Sequence, residues 1–435
     1  MILFPSKWWA ATLVPGLLLA ASSQSRAQLM QYVNRPDRAF HWKHLQTTTV
    51  SRGNIYKLHL TSQVWQGIPW EHQLQVYEPK DVRFPDILLL YVTGGHASRE
   101  GVSAGFTIAE HAGMRVAVLY QIPNQPLFGG KVEDELIAYT FVQYLHTADA
   151  SWPLLFPMVK SVVRAMDALQ AFAPQGWGRP VDSFIIAGVS KRGWTTWLTA
   201  ATGDPRVVAI APMAIDMLNI PAQMKHQVAV YGHYSRQIDD YVRAGLLKPR
   251  VVNSLRGRRL WRMVDPYTYR RQLTLPKLIV RGTNDPYWTQ DALNLYWRGL
   301  SGGKWILYVP NATHNMEHNR DRVYNTAGVF ARHVASHTPM PQLSWKFSES
   351  HQQERLIIRT SPPGIAARLW SAESRSLDFR KSHWTSIPMR HTGSGFEGGR
   401  RRPKGDNLAV FVEVNYSFEG QPYPLSTQIR IVRAQ

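Results

Sequence analysis

Three side chains able to do hydrolytic chemistry, Ser190, Asp285 and His314, follow one another in the order nucleophile, acid, base, each just past an apolar run of strand length. A serine hydroxyl attacks a carbonyl only if a base takes its proton, a carboxylate orients that base and N–H donors hold the oxyanion. Ser190 lies in Gly188-Val189-Ser190-Lys191-Arg192-Gly193, after the apolar run Phe184–Ala187 and before a helix-like stretch from Trp194 to Thr202. A nucleophile elbow is built this way: a tight strand-to-helix turn lifts the hydroxyl clear of the sheet, beside the N–H groups of a helix start. The usual G-x-S-x-G spacing is not met, because Arg192 stands where the second glycine belongs and Gly193 follows one later. Serine is also a favoured helix cap, so the elbow alone leaves a purely structural reading open. Asp285 lies four residues beyond Lys277–Arg281, and His314 five beyond Lys304–Val309. Singly they read as a turn residue before Pro286 and a loop histidine. Together, each on a loop past the carboxyl end of its own strand, they match the order an α/β-hydrolase requires.

The oxyanion donors expected beside such a serine are the backbone N–H of Lys191 and an N–H from Thr93-Gly94-Gly95-His96, with Gly94 or Gly95 as the donor. That loop follows the apolar run Ile87–Val92, and paired glycines let backbone approach a ligand closely. His96 directly follows these glycines and is expected to line the same pocket. Trp288, in the segment that carries Asp285, is a candidate substrate contact. Arg192 in the glycine position predicts either a looser helix–strand contact or, with Lys191, a charge aimed at an anionic substrate. A competing pattern is His314-Asn315-Met316-Glu317-His318, which has the H-x-x-E-H spacing of a zinc site. It follows a strand through Pro310-Asn311 and has no obvious third ligand, so no metal and no cofactor is assigned.

The elements needed to position these residues are legible in the same pattern. Ile87–Val92, Arg115–Gln121, Ser183–Ala187, Val207–Pro212, Lys277–Arg281 and Lys304–Val309 are nearly continuous apolar runs, the mark of strands covered on both faces. Leu136–Leu145 and Met158–Phe172 have helical spacing, a short helix fits between the first two strands, and Gln46–Trp65 with His72–Tyr77 reads as a leading antiparallel hairpin. The alternation predicts a doubly wound, mostly parallel α/β sheet over residues 28–340. The stretch Ile215–Thr274 is too long for a plain connection and predicts a helical cap over the site. From residue 341 to 435 period-two alternation takes over in Leu343–Phe347, Arg355–Arg359, Ala366–Trp370, Leu408–Tyr416 and Thr427–Val432, predicting an all-β, immunoglobulin-like sandwich. Gly393–Lys404 reads as a flexible basic loop.

Composition bounds the setting. With 435 residues and 44% hydrophobic content the chain can bury a large core. Met1–Ala27, with Lys7, an apolar run from Trp8 to Ala20 and small residues at its end, reads as a secretory leader and predicts an exported protein, periplasmic or secreted. No other stretch is long and apolar enough to cross a membrane. The absence of Cys excludes disulfides, thiolate metal sites and a cysteine nucleophile. A net charge of +20 predicts attraction to an anionic membrane surface or polysaccharide. Nucleic acid is not expected, because the basic residues are scattered and carry no nucleic-acid motif.

The segments GVSKRGWTTWLTAAT, VTGG at Val92–Gly95, VEDELIAYTF at Val132–Phe141, GTNDPYW and THNMEHN, with Leu369-Trp370-Ser371-Ala372 and Trp384-Thr385-Ser386, resemble the PhoPQ-activated pathogenicity-related proteins, and the chain is similar also to a secreted autocrine proliferation repressor. The resemblance implies an exported α/β-hydrolase-like protein, associated with envelope stress and resistance to cationic peptides, and places a triad on Ser190, Asp285 and His314. The expectation from sequence is therefore a serine hydrolase acting on a small-molecule or envelope-derived ester, with an amide the less favoured substrate. Two other readings stay open: a catalytically silent binding or signalling protein, and a serine peptidase.

Overall fold

The computed structural model describes residues 25–317, 319–350, 353–393 and 395–434. The leader expected over Met1–Ala27 lies outside this set except at residues 25–27, which are helical together with residues 28–34. In that helix Leu29 and Val33 are buried, and Arg26 donates to the Thr202 carbonyl at 3.1 Å.

The α/β part begins with β1 (His41–Val50), β2 (Gly53–Trp65) and β3 (Ile68–Pro79), an antiparallel meander. The expected hairpin is thus three strands, because Ser51-Arg52 make a tight turn inside the first apolar run. Then follow β4 (Ile87–Val92), α1 (Arg99–Ala112), β5 (Arg115–Leu119), α2 (Glu133–Thr147), α3 (Leu155–Trp177), β6 (Ser183–Val189), α4 (Lys191–Ala201) and β7 (Val207–Met213). The insert after β7 holds α5 (Ile220–Tyr231), α6 (Asp239–Arg243), α7 (Pro249–Val252) and α8 (Leu255–Val264), and β8 (Lys277–Gly282), β9 (Lys304–Val309) and α9 (Arg320–Ala335) complete the unit. The strands lie in the order β1-β2-β3-β5-β4-β6-β7-β8-β9, parallel from β5 onward.

Both faces of this sheet are covered, which is why its central strands carry no polar alternation. Leu88, Leu90, Phe184 and Ile186 enter the core on one face, with α2, α3, α4 and the insert; Ile87, Leu89, Ile185 and Ala187 enter the other, with α1 and α9. The strand order reverses between β4 and β6, and a crevice opens at the carboxyl ends of strands that part in this way. The loops carrying Gly94-Gly95 and Ser190 leave from those two ends.

Beyond Pro341 the chain is all β. β10 (Gln342–Ser350), β11 (Gln353–Ser361), β12 (Ala366–Ser374), β13 (Thr385–Pro388), β14 (Arg390–Thr392), β15 (Gly395–Arg401), β16 (Asn407–Phe418), β17 (Gln421–Ser426) and β18 (Arg430–Val432) form two layers. One is β10-β11-β15-β14; the other, β17-β16-β12-β13 with β18 also on β16, joins the mostly parallel sheet where Ser426 of β17 meets Ile306 of β9. Two expectations are corrected. The predicted flexible loop Gly393–Lys404 contains β15, paired with β11 and β14, and its Glu397 forms ion pairs with Arg355 and Arg390. The predicted strand Thr427–Val432 is only its last three residues, and its neighbour β17 escapes the pattern because Pro422 and Pro424 remove ladder donors. Among the described residues no helix is long and apolar enough to cross a membrane.

Candidate active site

Ser190 ends β6 and starts α4 with φ 59° and ψ −125°, a backbone strained for any residue with a side chain. The turn holds because the Ser190 N–H donates to Met213 O at 2.8 Å and Trp194 N–H returns to Ser190 O at 3.0 Å. The close approach that the second elbow glycine normally allows is made by Gly193. A Cβ there would come within 2.7 Å of Ile215 Cγ2 and 2.9 Å of Met213 O. The glycine is displaced by one position rather than missing, and the helix–strand contact is tight. Gly193→Ala is expected to cost about 1–3 kcal/mol by forcing α4 away from β7, read as a lowered Tm. An unchanged Tm would contradict this account of the elbow.

The His314 ring joins the other two members. Asp285 can only accept, so His314 Nδ1 carries the proton and donates to Asp285 Oδ2 at 2.9 Å, leaving Nε2 to accept from Ser190 Oγ at 2.8 Å. Asp285 is fully buried. Burial opposes its charge, but His314, Arg281 and the Tyr287 N–H donating to Oδ1 outweigh that and hold the carboxyl below its ordinary value. The acid therefore stays ionised and fixes the tautomer the base needs. The Tyr287 ring lies along the imidazole, centroids 4.3 Å apart. Both His314 ring nitrogens are engaged, Glu317 accepts from Thr313 at 2.6 Å, and His318 of the zinc-like spacing lies outside the described residues.

The loops that carry acid and base are braced from the C-terminal region. Asn284 donates to the carbonyls of Arg380 and Ser382 at 3.1 and 2.7 Å, while Asn311 exchanges two hydrogen bonds with the backbone of Trp384 at 2.7 and 2.9 Å. Nothing local to Asp285 or His314 in sequence announces this support.

Among the oxyanion candidates, Lys191 N–H is the first of α4, where no carbonyl of the helix can accept it. Gly94 and Gly95 line the same cleft as Ser190, Lys191 and His314. A Cβ on Gly94 would fall 1.7 Å from Arg192 Nη2, so the guanidinium packs on the bare backbone of that loop. Trp288 is buried and lines an apolar chamber behind Ser190.

Two expectations fail. His96 is exposed and lies outside the residues lining the cleft. Arg192 does not present its charge to a substrate: it is buried, donates to Ile122 O, and is clamped by both oxygens of Glu133 at 2.8 and 2.6 Å. Lys191 Nζ is likewise held by Glu133 Oε2 at 3.2 Å and Asp134 Oδ2 at 2.9 Å. Burial opposes the Glu133 charge, but the two cations overcome it and pull the carboxyl down to about 2. Asp134 also accepts from the hydroxyls of Tyr241 and Tyr287 at 2.9 and 3.2 Å. The acidic pair that opens α2 is the residue set the sequence reading missed, although Glu133-Asp134 and Lys191-Arg192 are equal and opposite doublets.

A reversing, mostly parallel sheet with a serine elbow at its switch point defines the α/β-hydrolase fold. The chain belongs to the PhoPQ-activated pathogenicity-related protein family, which it matches over residues 29–380. It is 32% identical over 390 residues to autocrine proliferation repressor protein A of Dictyostelium discoideum, covering 84% of this chain and 78% of that protein. Among solved structures it is similar to acetyl xylan esterase 1 from Thermoanaerobacterium sp., with TM-score 0.50 and 15% identity over 71% of this chain and 93% of that one. It is also similar to the S-formylglutathione hydrolase from Agrobacterium tumefaciens, with TM-score 0.42 and 17% identity, covering 68% of this chain and 96% of that one. The likeness to the solved esterases is one of fold.

Proposed function

We propose that the protein is an exported serine hydrolase that cleaves esters through Ser190, His314 and Asp285. The reading rests on the unbroken hydrogen-bond chain from Ser190 Oγ through His314 to a buried, ionised Asp285, at an elbow that opens on a solvent cleft. Ser190 Oγ attacks the carbonyl carbon as its proton passes to His314 Nε2, and the carbonyl oxygen gains negative charge. The N–H groups of Lys191 and of Gly94 or Gly95 receive that oxyanion. The alkoxide leaves with the proton from His314, and water repeats the sequence on the acyl-enzyme. Neutral esters are the expected substrates, since Glu133 and Asp134 cancel the charges that would have drawn anionic ones.

A fluorophosphonate probe tests the reading: covalent label on the peptide that contains Ser190 is the expected result. A folded protein that takes no label would instead favour a silent binding protein that keeps the constellation without using it.

A further inference from the structure

Ser190 and His314 stand between two spaces of opposite character. On one side is the cleft, about 750 Å³, lined by polar groups such as Thr93, Gln125, Gln237, Thr313 and Asn315. On the other is a narrow chamber of about 60 Å³ under the insert, walled by Trp194, Met217, Ile220, Ile238, Trp261 and Trp288, all nearly buried. The carboxylate of Asp134 at its edge is taken up by Lys191, Tyr241 and Tyr287, so no free charge faces the chamber.

Building on the serine-hydrolase reading, we infer that the chamber receives the acyl half of the substrate and the cleft the alcohol half, making this an esterase for short, uncharged acyl groups on polar alcohols. The assignment of halves follows from the order of events. The alcohol must depart, and water must reach the acyl-enzyme, before the acyl group can leave. Both need an open, wet path beside His314, and the cleft supplies it along Thr313 and Asn315. The acyl group waits on Ser190 in the interval, which suits the narrow, apolar side. Size follows from volume: a water-sized group needs about 10–15 Å³ of such space, so the chamber holds about four to six heavy atoms. Acyl chains of about two to six carbons fit, and longer ones must displace the insert. Specificity then resides in the insert, whose Met224 and Leu247 line the chamber.

The test uses the full chain with p-nitrophenyl acetate, butyrate, octanoate and palmitate, active sites being counted by fluorophosphonate titration. kcat/KM is expected to fall by about tenfold or more from butyrate to octanoate. Met224→Ala, or Leu247→Ala should the first fail to fold, is expected to raise the octanoate-to-butyrate ratio by a similar factor. Monobutyrin is expected to be cleaved faster than butyl butyrate. A labelled enzyme that turns over octanoate or palmitate as fast as butyrate overturns the short-chain assignment, and one that prefers butyl butyrate overturns the polar-alcohol assignment. An unlabelled, inactive but folded protein overturns the serine-hydrolase reading itself, and this inference with it.

Discussion

Ser190→Ala is expected to lower kcat for p-nitrophenyl butyrate by about 10⁶, and Asp285→Asn by about 10⁴, with the melting temperature of the serine variant little changed. The two differ because they remove different things. Without the Ser190 hydroxyl no acyl-enzyme forms, and only the oxyanion donors and the binding of substrate remain. With asparagine replacing Asp285 the nucleophile survives, but the amide can donate to His314 Nδ1 and so drive the proton onto Nε2, the atom that must accept from Ser190. The Ser190→Ala variant keeps the backbone bonds to Met213 and Trp194 that hold the turn, and the positive φ strains alanine no more than serine. Combining the two substitutions is expected to cost no more than Ser190→Ala alone, since the acid and base act only through the hydroxyl. Turnover by Ser190→Ala within tenfold of wild type would place the chemistry elsewhere in the molecule.

The parallel sheet and the three loops of the site were legible because both depend on local pattern. A strand buried on two faces must be apolar throughout, and the loop after it must bear whatever the crevice uses, so Ser190, Asp285 and His314 could each be found from the run before them. What stayed hidden depends on pairing between distant segments. The sequence shows Arg192 in place of a glycine, and only the fold shows that Gly193 makes the close contact while Arg192 turns toward a glutamate 59 residues earlier. The same holds for Asn284 and Asn311, which read as loop polars until the backbone of residues 380–384 arrives beside them. β15 and β17 were obscured for a third reason: glycine and proline are weak strand formers, and partners on either side override that weakness. His96 failed because adjacency in sequence to the glycine loop does not fix the direction of the side chain that follows it.

Glu133→Gln is the substitution expected to destabilise the site most without touching the triad. Its carboxylate carries two bonds to Arg192 and one to Lys191, whose side chains are each 9% exposed against its own 36%. Lys191 would keep Asp134, but Arg192 would be left with Ile122 O, at most one bond to the glutamine carbonyl, and no counter-charge. Losing one partner of a fully buried pair costs about 3–5 kcal/mol, and solvent at the Glu133 side brings the expected loss down to about 2–3 kcal/mol. Glu135→Gln is the matched control: it pairs with Lys131 at 3.2 Å but is 54% exposed, so its loss is expected to be under about 1 kcal/mol. The pH dependence has a definite sign. The folded Glu133 carboxyl lies at about 2 against an ordinary 4.5, so its contribution is whole above pH 4.5 and is lost as pH falls toward 2. Glu133→Gln should flatten that acid limb of the stability curve as well as lower stability at neutral pH. Activity should fall with it by about tenfold in kcat, because the guanidinium that rests on Gly94 ties the elbow to the loop supplying the second oxyanion donor. If Glu133→Gln and Glu135→Gln melt alike at pH 7, Arg192 is not held by this clamp. The basic residue in the glycine position then needs another explanation.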